Sequence, residues 1–299
     1  MGIYKMNLTL KDRALGAYLG FACGDALGAT VEFMTPEQIR TEYGLHRDIT
    51  GGGWLKLRPG QITDDTEMSI ALAQAMIDCG GWDLTRVADS FAAWLRSQPV
   101  DIGNTCRRGI RRYIKTGALA GPVNEAEAGN GACMRNLPVA IATLGNAPAF
   151  ERQTLEQCHL THHHPLSDAA ALCLGRMLQA LVAGEGIEPC RQQAAALIKA
   201  HPEFQFDPYP GRAGGYIVET VQTVLYHFFH TDSFEACLTD TVNRGEDADT
   251  TGALAGMLAG AHYGIDAIPR RWLDRLEPAV SRTIERQTEA LLKLSHSGI

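Results

Sequence analysis

Residues 63 to 79 read TDDTEMSIALAQAMIDC. Behind the polar opening, Met68, Leu72, Ala75, Met76 and Cys79 recur at spacings of three and four, which lays them along one apolar face of a helix. Gly80 and Gly81 then stop it. The same period returns at about residues 12 to 30, 84 to 97, 103 to 116, 132 to 144, 166 to 183, 190 to 200, 214 to 230, 233 to 243, 249 to 263 and 277 to 294. Alternating strand patterns are almost absent. The expected fold class is therefore all-α, with residues 1–299 forming a single compact multi-helix domain, since no connecting stretch is long or biased enough to be an interdomain linker. The connections TGGGWLKLRPGQ (50 to 61), GPVNEAEAGNG (121 to 131), HHHPLS (162 to 167) and HPEFQFDPYPGRAGG (201 to 215) are short and punctuated. Glycine recurs inside helical stretches, as in GALAGMLAGAHYG from Gly252 to Gly264. Each such glycine costs about 1 kcal/mol relative to alanine, so its repeated use predicts helices in close approach at the centre of the fold.

Composition narrows the function. Among 299 residues, 45% are hydrophobic and 20% charged, which is globular rather than disordered. A net charge of −7 leaves no basic stripe to neutralise phosphates, so a nucleic-acid partner is not expected. The local basic cluster from Cys106 to Lys115 reads as a solvated helix face or as a surface for an acidic ligand or partner. The eight cysteines are scattered, with no CxxC pair, and read as small buried apolar residues. The N-terminus lacks the apolar core of a signal peptide, and no run of uncharged apolar residues is long enough to span a bilayer. A reducing cytoplasm is the expected location, which leaves peripheral membrane association through a partner open.

The opening of the quoted stretch is harder to explain. Asp64 with Glu67 has capping-box spacing, and acids in a first turn suit the helix dipole. A cap needs one acceptor, however, and Asp64 and Asp65 both need compensation if this end of the helix is buried. The chain repeats the pattern at NRGEDADTTGALAG, where Glu246, Asp247 and Asp249 precede a helix beginning Thr250, Thr251. The twelve-residue EF-hand loop is absent. Two mouths of carboxylates and threonines, with no cysteine and no obligatory histidine, select hard oxygen-loving cations such as magnesium or manganese. Together they could hold two ions about 3.5–4 Å apart, the arrangement that activates a water or orients substrate oxygens. Adjacent histidines in HHHP lack tetrahedral zinc spacing.

With these motifs in order, GDALGATVE (24 to 32), TDDTE (63 to 67), DIGNTCRRG (101 to 109), GNGACMR (129 to 135), THHHP (161 to 165), GGYIVETVQ (214 to 222) and GEDADTTGA (245 to 253), the chain resembles the ADP-ribosylglycohydrolases over nearly its whole length. Within that family, length, DIGNT, GNGACMRN and the triple histidine are most similar to the bacterial enzymes that act on dinitrogenase reductase. The resemblance implies an all-α fold with a central dimetal site holding two divalent cations, manganese first and magnesium second. Thr63, Asp64, Asp65, Asp247, Asp249 and Thr250 would be the ligands, and Asp101 and Glu32 the catalytic carboxylates. Asn104, Gly129, Asn130, Gly131, Met134, Arg135, His162 and Tyr216 would contact or shape the ADP-ribose pocket. The implied reaction removes ADP-ribose from an arginine of dinitrogenase reductase, the nitrogenase iron protein, and the implied regulator is a PII-type nitrogen signalling protein. Hydrolysis of another ADP-ribosyl linkage, or a non-catalytic module that only binds ADP-ribose or a signalling protein, are the alternatives.

Overall fold

A computed structural model describes residues 8 to 297. Among them lie fourteen α-helices and no strand: α1 (Leu10–Gly28), α2 (Pro36–Tyr43), α3 (Asp64–Cys79), α4 (Leu84–Arg96), α5 (Asn104–Thr116), α6 (Leu137–Ala142), α7 (Ala147–His159), α8 (Pro165–Ala183), α9 (Glu188–Ala200), α10 (Ile217–His230), α11 (Phe234–Val242), α12 (Ala248–Tyr263), α13 (Arg270–Leu273) and α14 (Pro278–Ser297).

The centre is the antiparallel pair α1 and α12. From Gly16 to its C-terminus α1 is buried residue after residue, and α12 is buried from Ala248 to Ala261. Helices apolar all round belong inside a larger core. Glycines repeat every fourth residue on both, with Gly16 against Gly260, Gly20 against Gly256 and Gly24 against Gly252. A Cβ on Gly24 would stand 2.0 Å from the Gly252 carbonyl oxygen, so backbone lies directly on backbone. The predicted close approach is this seam. The other helices pack outward from it into one apolar core that takes in Phe91, Phe150, Phe234 and Trp272.

Three differences from the sequence expectation have physical causes. The expected helix over 132 to 144 is helical only at Leu137–Ala142, because Pro138 sits in its first turn and the preceding GNGACMR segment is wound into turns. The helix α7 carries polar residues on its buried side, Gln153, Thr154 and Gln157, which hides its apolar period. The helix α2 buries Ile39 alone, too little for a pattern. Helix α8 is long and apolar enough to cross a bilayer, but 56% of that window is buried inside the protein and it carries Asp168 and Arg176.

Candidate metal centre and nucleotide cavity

The helix α3 opens without a side-chain cap on its own N-cap residue, Thr63. The capping-box reading therefore fails: the Thr63 hydroxyl donates instead to Asp25 Oδ1 at 2.9 Å, and Glu67 accepts from Trp94 Nε1 at 2.7 Å. Asp25, on α1, does the capping from outside. It accepts from the amides of Thr63 and Thr66 and from both their hydroxyls, closing the N-terminus of α3 against the seam. The helix α12 likewise has Asp247 at its N-cap with no side-chain cap. Asp247 accepts from Asn130 Nδ2, while its carbonyl oxygen takes the Thr251 hydroxyl at 2.9 Å.

Both acidic mouths thus meet at one place. Thr250 Oγ1 donates to Asp65 Oδ2 at 3.1 Å, and Thr63 Oγ1 reaches Asp249 Oδ2 at 3.4 Å. Carboxylate oxygens of Glu32, Asp247 and Asp249 lie within 4.8 Å of one another. Glu32 is carried there by the turn after α1, whose Phe33 amide donates to Glu246 O at 2.6 Å while the Glu246 amide returns to Met34 O at 2.9 Å. Phe33 and Glu246 both take positive φ, 63° and 52°, a conformation non-glycine residues adopt only where surroundings hold them. Trp54 Nε1 donates to Glu32 Oε2 at 2.6 Å.

The electrostatics of this cluster are those of unneutralised acid. Burial first, and then the neighbouring carboxylates, push Asp64 up to about 8. Burial also drives Glu32 to about 8, against the Trp54 hydrogen bond. Asp65 and Asp249 are raised well above the carboxylate range, and Asp247 and Asp101 are raised too, burial leading in each. Asp25 rises less, to about 6, because the bonds from Thr66 and Thr63 oppose its burial. Asp65 Oδ1 is buried with no hydrogen-bond partner. An orphaned carboxylate oxygen, surrounded by further buried oxygens of aspartate and threonine, fits a hard divalent cation.

The cluster floors a cavity of about 730 Å³. Glu32, Asp64, Asp65, Asp101, Asn104, Gly129, Asn130, Gly131, Met134, His162, Asp247, Asp249 and Thr250 all line it. Of the expected residues, Thr63 is fully buried just behind the floor. Tyr216, 44% exposed, stands outside the lining, its backbone held where Asn130 N donates to Gly215 O at 3.1 Å. That bond uses the Asn130 amide, so of the GNG backbone only the glycine amides are left to meet a phosphate. Arg135, expected at the ligand, is buried behind the wall with 0% exposure. The three adjacent histidines turn apart: His162 to the cavity, His163 Nδ1 to Gly121 O, and His164 Nδ1 to the Leu166 amide that it caps.

Asp25 and Trp54 went unidentified as site residues from sequence. For Asp25 a signal existed, a lone carboxylate within the otherwise small and apolar run GFACGDALG. Trp54 lies in a glycine-rich loop, and only the tertiary fold shows that it holds Glu32.

The ADP-ribosylglycohydrolase family model matches residues 6–298. The chain is 57% identical over 287 residues, 96% of its length and 98% of the relative's, to the ADP-ribosyl-(dinitrogen reductase) glycohydrolase of Rhodospirillum rubrum. It is 33% identical over 283 residues to the ADP-ribosylarginine hydrolase Tri1 of Serratia proteamaculans, covering 89% of this chain and 75% of that one. A solved structure described as an ADP-ribosylglycohydrolase-related protein complex superposes with a TM-score of 0.84 at 33% identity, covering 96% of this chain and 99% of its own. Helical architecture, paired acidic helix mouths and end-to-end similarity agree, and the chain belongs to the ADP-ribosylglycohydrolase family.

Proposed function

We propose that this protein hydrolyses the N-glycosidic bond between ADP-ribose and an arginine of dinitrogenase reductase. The observation that carries the reading is the convergence of Asp64, Asp65, Asp247 and Asp249, with the unpartnered Asp65 Oδ1, on the floor of a cavity of nucleotide size. The similarity to the Rhodospirillum rubrum enzyme supplies the protein substrate, and the Serratia relative's name supplies arginine as the modified residue.

Thr63, Asp64, Asp65, Asp247, Asp249 and Thr250 would hold two divalent cations, manganese before magnesium. When bound, such ions lower the pKa of a water and orient ribose hydroxyls. Asp25 keeps Thr63 and Thr66 in place from behind. Glu32 lies beside Asp247 and Asp249 in the cage, and Asp101, which lines the same cavity, would take the attacking water's proton. The departing guanidine needs a proton, and the pair Asp101 and Glu32 supplies the exchange. Asn104, Gly129, Gly131, Met134 and His162 would shape the nucleotide's berth, with Tyr216 exposed outside that lining. Cytoplasmic location suits eight free cysteines, seven of them buried. A PII-type signalling protein as regulator, with peripheral membrane association through it, follows from the family resemblance.

The test is release of free ADP-ribose from ADP-ribosylated dinitrogenase reductase by chelated protein given back manganese or magnesium. Metal-dependent release that Asp64→Ala and Asp249→Ala abolish, with helix content unchanged, is expected. Tight ADP-ribose binding without release under any metal would make the cage a receptor and overturn the reading.

A further inference from the structure

The guanidinium of Arg135 is buried without a carboxylate partner. Its Nε donates to Gln157 Oε1 at 2.9 Å. Its Nη1 donates to Gly131 O at 3.0 Å and towards Cys106 Sγ at 3.5 Å. Its Nη2 donates to Gln157 O and to Thr161 Oγ1, both at 2.8 Å. All five N–H groups are thereby used, every one on a neutral acceptor, with the Phe91 ring 4.8 Å from the guanidinium carbon.

This arrangement settles a proton further along. A guanidinium has only protons to give, so Thr161 Oγ1 must accept in its bond with Nη2. His162 Nδ1, at 2.8 Å, is the other hydrogen-bond partner of Thr161 Oγ1, so the buried hydroxyl satisfies its one proton by donating there. A ring nitrogen that accepts carries no proton, and in a neutral imidazole the proton sits on the opposite nitrogen, Nε2. Neutrality is enforced by burial and then by the charges of Arg135 and Arg108, which push His162 down to about 3. The Nε2 edge lies along the cavity wall, where a Cβ on Gly129 would stand 3.1 Å from Nε2 and one on Gly131 3.2 Å from it.

We propose that Arg135, acting through Thr161, is a positioning residue that fixes His162 as an Nε2–H donor presented to an acceptor oxygen of the nucleotide in the cavity. The identity of that nucleotide as ADP-ribose rests on the reading above, whereas the relay itself exists without ligand. It accounts for an arginine inside the GNGACMR segment that never reaches the cavity. The cation organises the wall through Gly131 O and sets the tautomer of the histidine lying against it.

The first measurement is a two-bond nitrogen–proton NMR spectrum of the magnesium-loaded full chain labelled at its histidine ring nitrogens, with His162 assigned by comparison with His162→Gln. A bare Nδ1 and protonated Nε2, unchanged between pH 5 and 8, is expected. A protonated Nδ1 or a mixture of tautomers overturns the relay. The second compares Thr161→Val, which keeps shape and loses the hydroxyl, with Thr161→Ser. For Val, KM for the ADP-ribosylated protein rises roughly tenfold with kcat within about twofold, and Ser restores it, because a bond made equally to ground and transition state moves KM alone. A Val variant with unaltered tautomer and unaltered KM refutes the proposal. Should Val fail to fold, the native spectrum still decides. A fixed Nε2–H in a chain that releases no ADP-ribose would sink the hydrolase reading and leave the relay standing.

Discussion

Replacing Gly24 by alanine sets two opposed effects against each other on the central seam. In an exposed helix the change gains about 1 kcal/mol of helix propensity. Here the new methyl would lie 2.0 Å from Gly252 O, 2.4 Å from Gly252 C and 2.8 Å from Ala253 N, all of them backbone atoms that no rotamer change can move aside. Relief requires α1 and α12 to part by about 1 Å locally, an overpacking that costs about 3 kcal/mol where the core is rigid. The steric loss exceeds the propensity gain, for a net loss of about 2 kcal/mol. At this chain length that lowers Tm by about 3 °C. The parting also moves Asp25, beside the substituted residue on α1, away from Asp249 on α12, so the metal needed for half-maximal activity rises. Melting followed by circular dichroism, with Gly81→Ala as control because a Cβ there meets nothing within 4 Å, reads the effect. A Gly24→Ala protein that melts at or above the unmodified temperature would refute the claim that backbone contact holds the site together.

Chelation gives a pH-dependent prediction whose sign follows from the raised carboxylates. Asp64 and Glu32, at about 8 in the fold, lie above their unfolded values, so the metal-free fold binds more protons than the unfolded chain between those limits. Their contribution to stability is fully present below about pH 4 and is lost as pH rises through about 8. Chelated protein should therefore show a falling Tm from pH 5 to 8 and the largest rescue by added cation at the alkaline end; a rescue independent of pH would count against the cage. Asp25→Asn places an amide group where a carboxylate now accepts from two amides and two hydroxyls. A loss of about 2–4 kcal/mol in urea unfolding and a 10- to 100-fold weaker metal affinity by calorimetry are expected, and unchanged affinity would remove Asp25 from the site's support. Cys79 is the exposed thiol among eight free cysteines, so a thiol reagent should label one group quickly in the native protein and all eight in denaturant; several fast thiols would show that the core opens readily.

The sequence made legible what repeats along one helix and hid what depends on two. Period placed α3, α4 and α8, whereas α7 escaped because Gln153, Thr154 and Gln157 stand where apolar residues would have marked its buried face. The two acidic mouths could be found because each carries more carboxylate than a cap can use, and the structure uses neither as a cap of its own helix. Arg135 and Met134 are neighbours in one motif, yet Met134 lines the cavity and Arg135 lies wholly behind it, a division that consecutive positions about 100° apart on a turn produce and a motif does not record. Asp25 was hidden by the same geometry and could have been found by it. Glycines at 16, 20, 24 and 28 define the face of α1 that meets α12. Asp25 falls one step off that face, towards the N-terminus of α3, which it closes. A carboxylate one position beyond a glycine seam has no water to face and no place in the seam. Its partner must be another element's exposed amides, and the nearest helix opening with doubled acids and threonines is the one starting at Asp64.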